Sequence, residues 1–229
     1  MQTLEDVIIR LFDIIFSLLA IVVLSPILII VIGILKLTGE REVFYIQKRI
    51  GKNTKEFGLL KFATMLKNSA NIGTGEITLA DDKRVLPFGK FLRKTKINEL
   101  AQLINILKGD LSIIGPRPQT KKYYDAFNND DKRFISKIKP GLSGIGSIIF
   151  RDEEGLLKNI NNPVEFDLKI ITPYKGQIEK WYVENRSIYL YFLLIFLTVL
   201  VVASPSSISI KKVFKDLPQA PKKLKDILN

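Results

Sequence analysis

From Ile14 to Leu35 the chain reads IIFSLLAIVVLSPILIIVIGIL, without one charged side chain. At 1.5 Å rise per residue, a helix over this run is long enough to cross the hydrocarbon core of a bilayer. Asp13 precedes it and Lys36 follows it. The residues before the run are acidic rather than basic, and no small-residue cleavage pattern follows, which excludes a secretory signal. The polar face of an ordinary core helix is missing. Ser25-Pro26 lies near the middle. Proline lacks an N–H and kinks a helix. In hydrocarbon the carbonyl it frees needs a substitute donor, and the Ser25 hydroxyl can supply one. Two arrangements follow: a kinked spanning helix with the N-terminus outside, or a re-entrant helix with both ends on one face. Under either, the positive charge after Lys36 (Arg41, Lys48, Arg49, Lys52, Lys55) places the rest of the chain in the cytoplasm.

The 229 residues contain no cysteine and no histidine. Disulfides, zinc-thiolate sites and cysteine nucleophiles are thereby excluded, together with the commonest general base. Chemistry falls to carboxylates, Lys, Arg, Tyr, amides, hydroxyls or a hard cation such as magnesium. A formal net charge of +12 calls for an anionic partner. No nucleic-acid-binding motif is present, so the reading is a phosphorylated substrate or anionic lipid and no nucleic acid.

The middle of the chain carries short, mixed elements, which argues against a large regular sheet. Glu42–Ile46 and Phe57–Met65 read as strands, with Gln47–Lys55 a basic turn between them. Asn68–Gly75 is loop, Ile77–Leu79 a brief strand, and Asp81–Arg84 a charged connection. Thr95 is placed as the N-cap of a helix to about Lys108, with Ile97, Leu100, Ile104 and Leu107 on one face and Asn98, Gln102 and Asn105 on another. Gly109 stops it, and Leu111–Ile114 follows as a strand. A second apolar run, Ile188–Ala203, is short for a span and reads as an interfacial or core helix. Trp181, Tyr182, Tyr189 and Tyr191 suit a membrane interface. Ser204-Pro205 ends the run, and the basic tail after it is expected on the surface.

Chemistry-bearing groups gather in a few places. Arg93 and Lys94 precede Thr95, where a helix N-terminus would attract phosphate, and Glu99 follows within reach of a magnesium ion. Gly115-Pro116-Arg117-Pro118 fixes the backbone around one arginine, a residue suited to bidentate phosphate recognition. Lys139–Gly146 is glycine-rich but lacks a Walker ending, and reads as a plain loop. Asp152-Glu153-Glu154 reads as a solvated acidic turn.

Taken in order, several segments resemble the bacterial sugar transferase family, the monotopic polyprenyl-phosphate phosphoglycosyltransferases. They are Arg10–Asp13, the Ser25-Pro26 helix, Phe44–Gly51, Lys61–Met65, Arg84-Val85, Phe88–Thr95, Glu99-Leu100, Leu111–Pro118, Lys139–Gly141 and Trp181–Asn185. The resemblance implies an α+β, membrane-associated protein. Residues 1–40 would form a re-entrant helix kinked at Ser25 and Pro26, and 41–187 a mainly helical cytoplasmic catalytic domain with a small β element and interfacial amphipathic helices. Residues 188–229 would form an interfacial or core helix and basic tail. It implies a UDP-sugar donor, a polyprenyl phosphate acceptor at the bacterial inner membrane, release of UMP, and Mg2+ held by an Asp-Glu pair whose Asp attacks the donor phosphorus. Glu99 and Asn98 fall on that pair. Lys61, Arg84, Arg93, Arg117, Lys48 and Arg49 are the phosphate-binding set, and Glu99 the metal ligand. A homodimer and downstream glycosyltransferases are the further partners expected.

The sequence departs from the family at Asn98, at Ala63 (for arginine) and at Ala101 (for proline). An amide is no carboxylate nucleophile. Three accounts stand at this point. Glu99, or Asp82, Asp110 or Asp152, serves instead; the acceptor phosphate attacks directly; or the chain is an inactive relative that binds nucleotide-sugar or scaffolds partner glycosyltransferases.

Overall fold

The computed structural model describes residues 3–73, 78, 82–158, 160–203 and 213–228. Helix α1 runs unbroken over Leu4–Leu37. Thr3 and Asp6 form a reciprocal capping box at its start, which satisfies two of the orphan N–H groups. Pro26 lies inside the helix, and its missing N–H would leave the Val22 carbonyl unpaired. The Ser25 hydroxyl donates to that carbonyl at 2.8 Å, as the Ser-Pro pair suggested.

The long helix lies along the domain rather than projecting from it. Near its start, Arg10 donates to the carbonyls of Ile106 and Leu107, a cation at a helix C-terminus where carbonyls lack partners. Asp13 is only 1% exposed. It accepts from the Ser112 hydroxyl (3.0 Å), the Ile113 N–H (2.9 Å) and the Tyr191 hydroxyl (2.9 Å). Toward the other end, Val31 and Leu35 pack into a core with Val43, Phe62, Leu92 and Ala101. The opposite face is bare hydrocarbon, including Leu19, Val22, Val23, Ile29 and Ile30, with Val22 at 68% exposure. An exposed apolar stripe of this extent is not tolerated by water-facing helices.

After α1 come β1 (Phe44–Ile50) and β2 (Glu56–Phe62), an antiparallel hairpin paired from Phe44↔Phe62 to Ile50↔Glu56. The strand therefore runs through Gln47–Ile50, which the basic composition had suggested as turn. The reversal is confined to residues 51–55, where Asn53 and Thr54 adopt positive φ. Ile77–Leu79 falls largely outside the described residues, as do Gly75, Asp81 and Ser204-Pro205.

Helix α2 (Pro87–Lys94) starts on a proline, whose lost N–H costs nothing at that position. Gly89 is required there: a β-carbon would lie 2.2 Å from the Thr64 carbonyl oxygen. Thr95 does not begin a helix. It closes α2, its hydroxyl donating back to the Phe91 carbonyl at 2.8 Å. Lys96 then takes a left-handed conformation, and the chain resumes as a 3-10 turn, Ile97–Gln102, before α3 (Leu103–Lys108). Of the two faces, the polar one is the buried one at Asn98, Gln102 and Asn105, whereas Ile104 of the apolar face is exposed. Asn105 shows why. Its amide receives the Leu60 N–H and donates to the Gly58 carbonyl, closing the open edge of β2. Gly109, at φ 92°, ends α3 as expected.

Strand β3 (Ser112–Ile114) pairs in parallel with β4 (Gly141–Ser143). The glycines here permit close backbone approach: a β-carbon on Gly141 would sit 2.1 Å from the Gly115 nitrogen. Between the strands lie the short helices α4 (Lys121–Asp125) and α5 (Asn129–Ile135). Beyond β4, α6 (Ile145–Ile149), α7 (Glu153–Leu156) and α8 (Pro163–Phe166) lead through a π-helical turn, Asp167–Ile171, into α9 (Thr172–Glu184). Helix α10 (Ile188–Ala203) packs Leu190, Tyr191, Leu194 and Leu197 into the largest core with Ile178 and Tyr182 of α9, and exposes Tyr189, Phe196 and Val199. The tail is not merely superficial. Phe214, Ala220 and Leu224, the last on α11 (Lys222–Leu228), are buried in that same core, and Tyr174 donates to the Pro218 carbonyl. Lys215, Lys222 and Lys223 are exposed around apolar side chains that the charge count hides.

Candidate functional site

Six of the side chains singled out in the sequence meet on one cavity of about 1540 Å³. Arg49 comes from β1, Lys61 from β2, Arg93 from the last turn of α2, Asn98 and Glu99 from the 3-10 turn, and Arg117 from the loop after β3. The left-handed Lys96 swings the 3-10 turn across β2, which brings Glu99 to Lys61 and Arg117. The cavity exceeds the roughly 300–1,000 Å³ typical of a site for one small ligand. Leu142, Ile148, Ile149 and, from α10, Val201 and Val202 also line it, with Ser143, Thr198 and Arg151 among them.

The electrostatics of the cluster are lopsided. Glu99 Oε1 lies 3.7 Å from the Arg117 guanidinium. Burial works against its charge, but Arg117, Lys61, Lys96 and Arg93 outweigh that and hold the carboxyl below its ordinary range. Burial likewise drives the Lys61 ammonium down to about 7; Glu99 opposes the shift, whereas Arg49, Arg117 and Arg93 add to it. Asn98 is 6% exposed, and its Oδ1 has no hydrogen-bond partner among the described residues. A buried amide oxygen without a partner is costly.

Two predicted phosphate ligands lie elsewhere. Arg84 is buried in a fork with Asp82 (2.6 Å) and donates to the carbonyls of Ser69 and Ile72, so its guanidinium pins the segment before α2. Lys48 points to solvent, 3.9 Å from Glu56. Of the alternative carboxylates, Asp82 is committed to Arg84. Asp110 accepts from Asn105, and Asp152 caps the Gly155 N–H of α7.

Sequence reasoning missed the support beneath Arg117. Glu179, on α9 and 1% exposed, accepts the Arg117 N–H at 3.0 Å. Burial raises its carboxyl to about 7. Gly146 leaves room for it, since a β-carbon there would lie 2.3 Å from Glu179 Oε1. Arg49 braces the same loop by donating to the Pro118 carbonyl. On the cavity's other side Glu153 pairs with Lys175, beside Asp167, whose carboxyl burial raises to about 6. Nothing local in the sequence distinguishes these residues from surface charges.

The chain thus combines an apolar helix long enough to cross a membrane with a cavity rich in guanidinium groups. The chain belongs to the bacterial sugar transferase family, whose family model matches residues 4–205. It is 31% identical over 189 residues, 82% of its length, to UDP-N-acetylgalactosamine-undecaprenyl-phosphate N-acetylgalactosaminephosphotransferase of Aeromonas hydrophila. It is 33% identical over 83% of its length to UDP-glucose:undecaprenyl-phosphate glucose-1-phosphate transferase of Klebsiella pneumoniae. The chain spans 41% and 39% of those two proteins. A sugar transferase of Bacillus subtilis, EpsL, is similar in extent: 33% identity covers 83% of this chain and 84% of that one.

Proposed function

We propose that the protein transfers a sugar-1-phosphate from a UDP-sugar to undecaprenyl phosphate, releasing UMP, as an early step of surface-glycan synthesis. The observation that carries this reading is the Lys61–Glu99–Arg117 cluster on a cavity whose lining also includes apolar side chains of Leu142, Ile148, Ile149 and α10. The donor's diphosphate fits among Lys61, Arg93 and Arg117, where guanidinium and ammonium groups neutralise charge spread over phosphoryl oxygens. With an amide at 98, direct displacement is the simplest route. An oxygen of the acceptor phosphate attacks the phosphorus that bears the sugar, and the new P–O bond forms as the P–O bond to UMP breaks. Both reacting phosphates are anions, so the cationic cluster lowers their mutual repulsion.

Magnesium suits the donor set present. Glu99 offers a carboxylate and Asn98 an unpartnered oxygen, and magnesium commonly takes one or two protein oxygens plus substrate phosphates. Bound there, it would supply further charge neutralisation at the diphosphate. The test is UMP release from protein in nanodiscs with magnesium, undecaprenyl phosphate and a panel of UDP-sugars. UMP that requires both the lipid and one donor is expected; donor binding without UMP from any donor would favour the inactive scaffold.

Lys61 gives this reading a pH signature. Below about 7 its ammonium is charged and attracts the donor; above that value the charge is lost. Donor affinity is therefore expected to fall several-fold from pH 6.5 to 8.5, and Lys61→Arg to flatten the profile. A wild-type profile flat across that range in equilibrium dialysis would remove Lys61 from the donor site.

The membrane arrangement belongs to the same proposal. Because residues near both ends of α1 pack on one domain, a re-entrant helix keeps that packing on a single face, the cytoplasmic face of the inner membrane. A tag on the N-terminus is expected to resist impermeant reagents in intact cells, and labelling from outside would establish a spanning helix.

A further inference from the structure

Resting on the transferase reading, we infer that this site takes a divalent cation only together with the donor's diphosphate, and that Asn98 sets this order of loading. Glu99 is the one carboxylate of the cluster among the described residues, and Arg117, Lys61, Lys96 and Arg93 all act on it. A dication approaching the empty site meets that surplus of positive charge with a single, already neutralised carboxylate to hold it. Asn98 adds an oxygen but no charge. Its Oδ1 is buried with no partner among the described residues, and it brings no negative charge to draw an ion in. The donor's diphosphate reverses the balance. Its negative charges offset the guanidinium groups, and its oxygens complete a coordination shell that two protein oxygens cannot. An aspartate at 98 would instead place a second carboxylate beside Glu99 and hold the ion before the donor arrives.

The experiment counts bound Mn2+ as a stand-in for magnesium, reading the free ion by electron paramagnetic resonance and the retained ion by equilibrium dialysis. Wild-type protein in nanodiscs with Mn2+ alone is expected to show no saturable binding below about 1 mM, the weak regime for a poorly charged oxygen site. Asn98→Asp, close in shape to the native residue, is expected to bind one ion per chain at least about tenfold more tightly, the effect of ligand charge count. Glu99→Gln added to that variant should abolish the gain. Wild-type protein with UDP should retain Mn2+ and UDP together. Metal-alone binding by wild type as tight as by Asn98→Asp, or no gain in Asn98→Asp, overturns the inference. UDP retained by wild type without Mn2+ also overturns it and leaves the transferase reading standing. Failure to retain UDP at all sinks the transferase reading, while the metal-alone comparison still decides the role given to residue 98.

Discussion

Glu99→Gln is expected to lower UMP release by about 10³-fold, the upper range for removing one preorganised charged group from a phosphoryl or acyl transfer site, with no loss of membrane attachment. Glutamine preserves the side chain's shape but not its charge. Arg117, held 3.7 Å away, would lose this ionic partner, and the charged oxygen donor that Glu99 supplies would vanish. The same enzyme separates two chemical routes. If the acceptor attacks directly, wild-type protein given donor but no lipid releases no UMP. If Glu99 attacks first, that mixture yields a burst of one UMP per active chain. Direct displacement therefore expects no burst, and a stoichiometric one would assign Glu99 as nucleophile. Undiminished turnover in Glu99→Gln would remove the residue from the reaction altogether.

What the sequence disclosed was local chemistry. Two prolines around Arg117, the Asn98-Glu99 pair and the Ser25-Pro26 pair within α1 are each readable from neighbours in the chain. Their physical consequences, a stiff loop, an amide in place of a charge and a freed carbonyl, are likewise local. What it concealed depended on distant partners. Thr95 has the chemistry of an N-cap, yet Lys96 adopts a left-handed φ because the following turn must cross β2, and Thr95 closes the preceding helix instead. Helical spacing grouped Ile104 with Ile97, Leu100 and Leu107, yet Ile104 is exposed and Asn105 lies inward. The pairing needs of the β2 backbone put Asn105 there, since an unpaired Gly58 carbonyl and Leu60 N–H cost more than one exposed isoleucine. Arg84 shows the same limit: its charge was legible, its fork with Asp82 was not. Glu179 lies 62 positions from the loop it supports, and no pattern in the chain joins them.

Asp13→Leu is expected to cost about 3–5 kcal/mol, from three orphaned donors at about 1–3 kcal/mol each with partial relaxation. The Ser112 hydroxyl, the Ile113 N–H and the Tyr191 hydroxyl all end on Asp13 Oδ1, in a place too closed for water to replace it. Domains are stable by only about 5–15 kcal/mol, so the variant should unfold at a much lower temperature in nanodiscs. Tyr191→Phe removes one donor together with its bond and is expected to lose only about 1 kcal/mol. The consequence reaches the reaction. Ser112 and Ile113 belong to β3, and β3 runs directly into Gly115-Pro116-Arg117, so the apolar helix and the cluster share one strand. Asp13→Asn keeps an acceptor oxygen at this junction and should retain most of the stability. A lower kcat at unchanged donor affinity in Asp13→Asn would show that the membrane helix positions the acceptor rather than the donor. An Asp13→Leu protein as stable as wild type would mean that α1 is held by its apolar contacts alone.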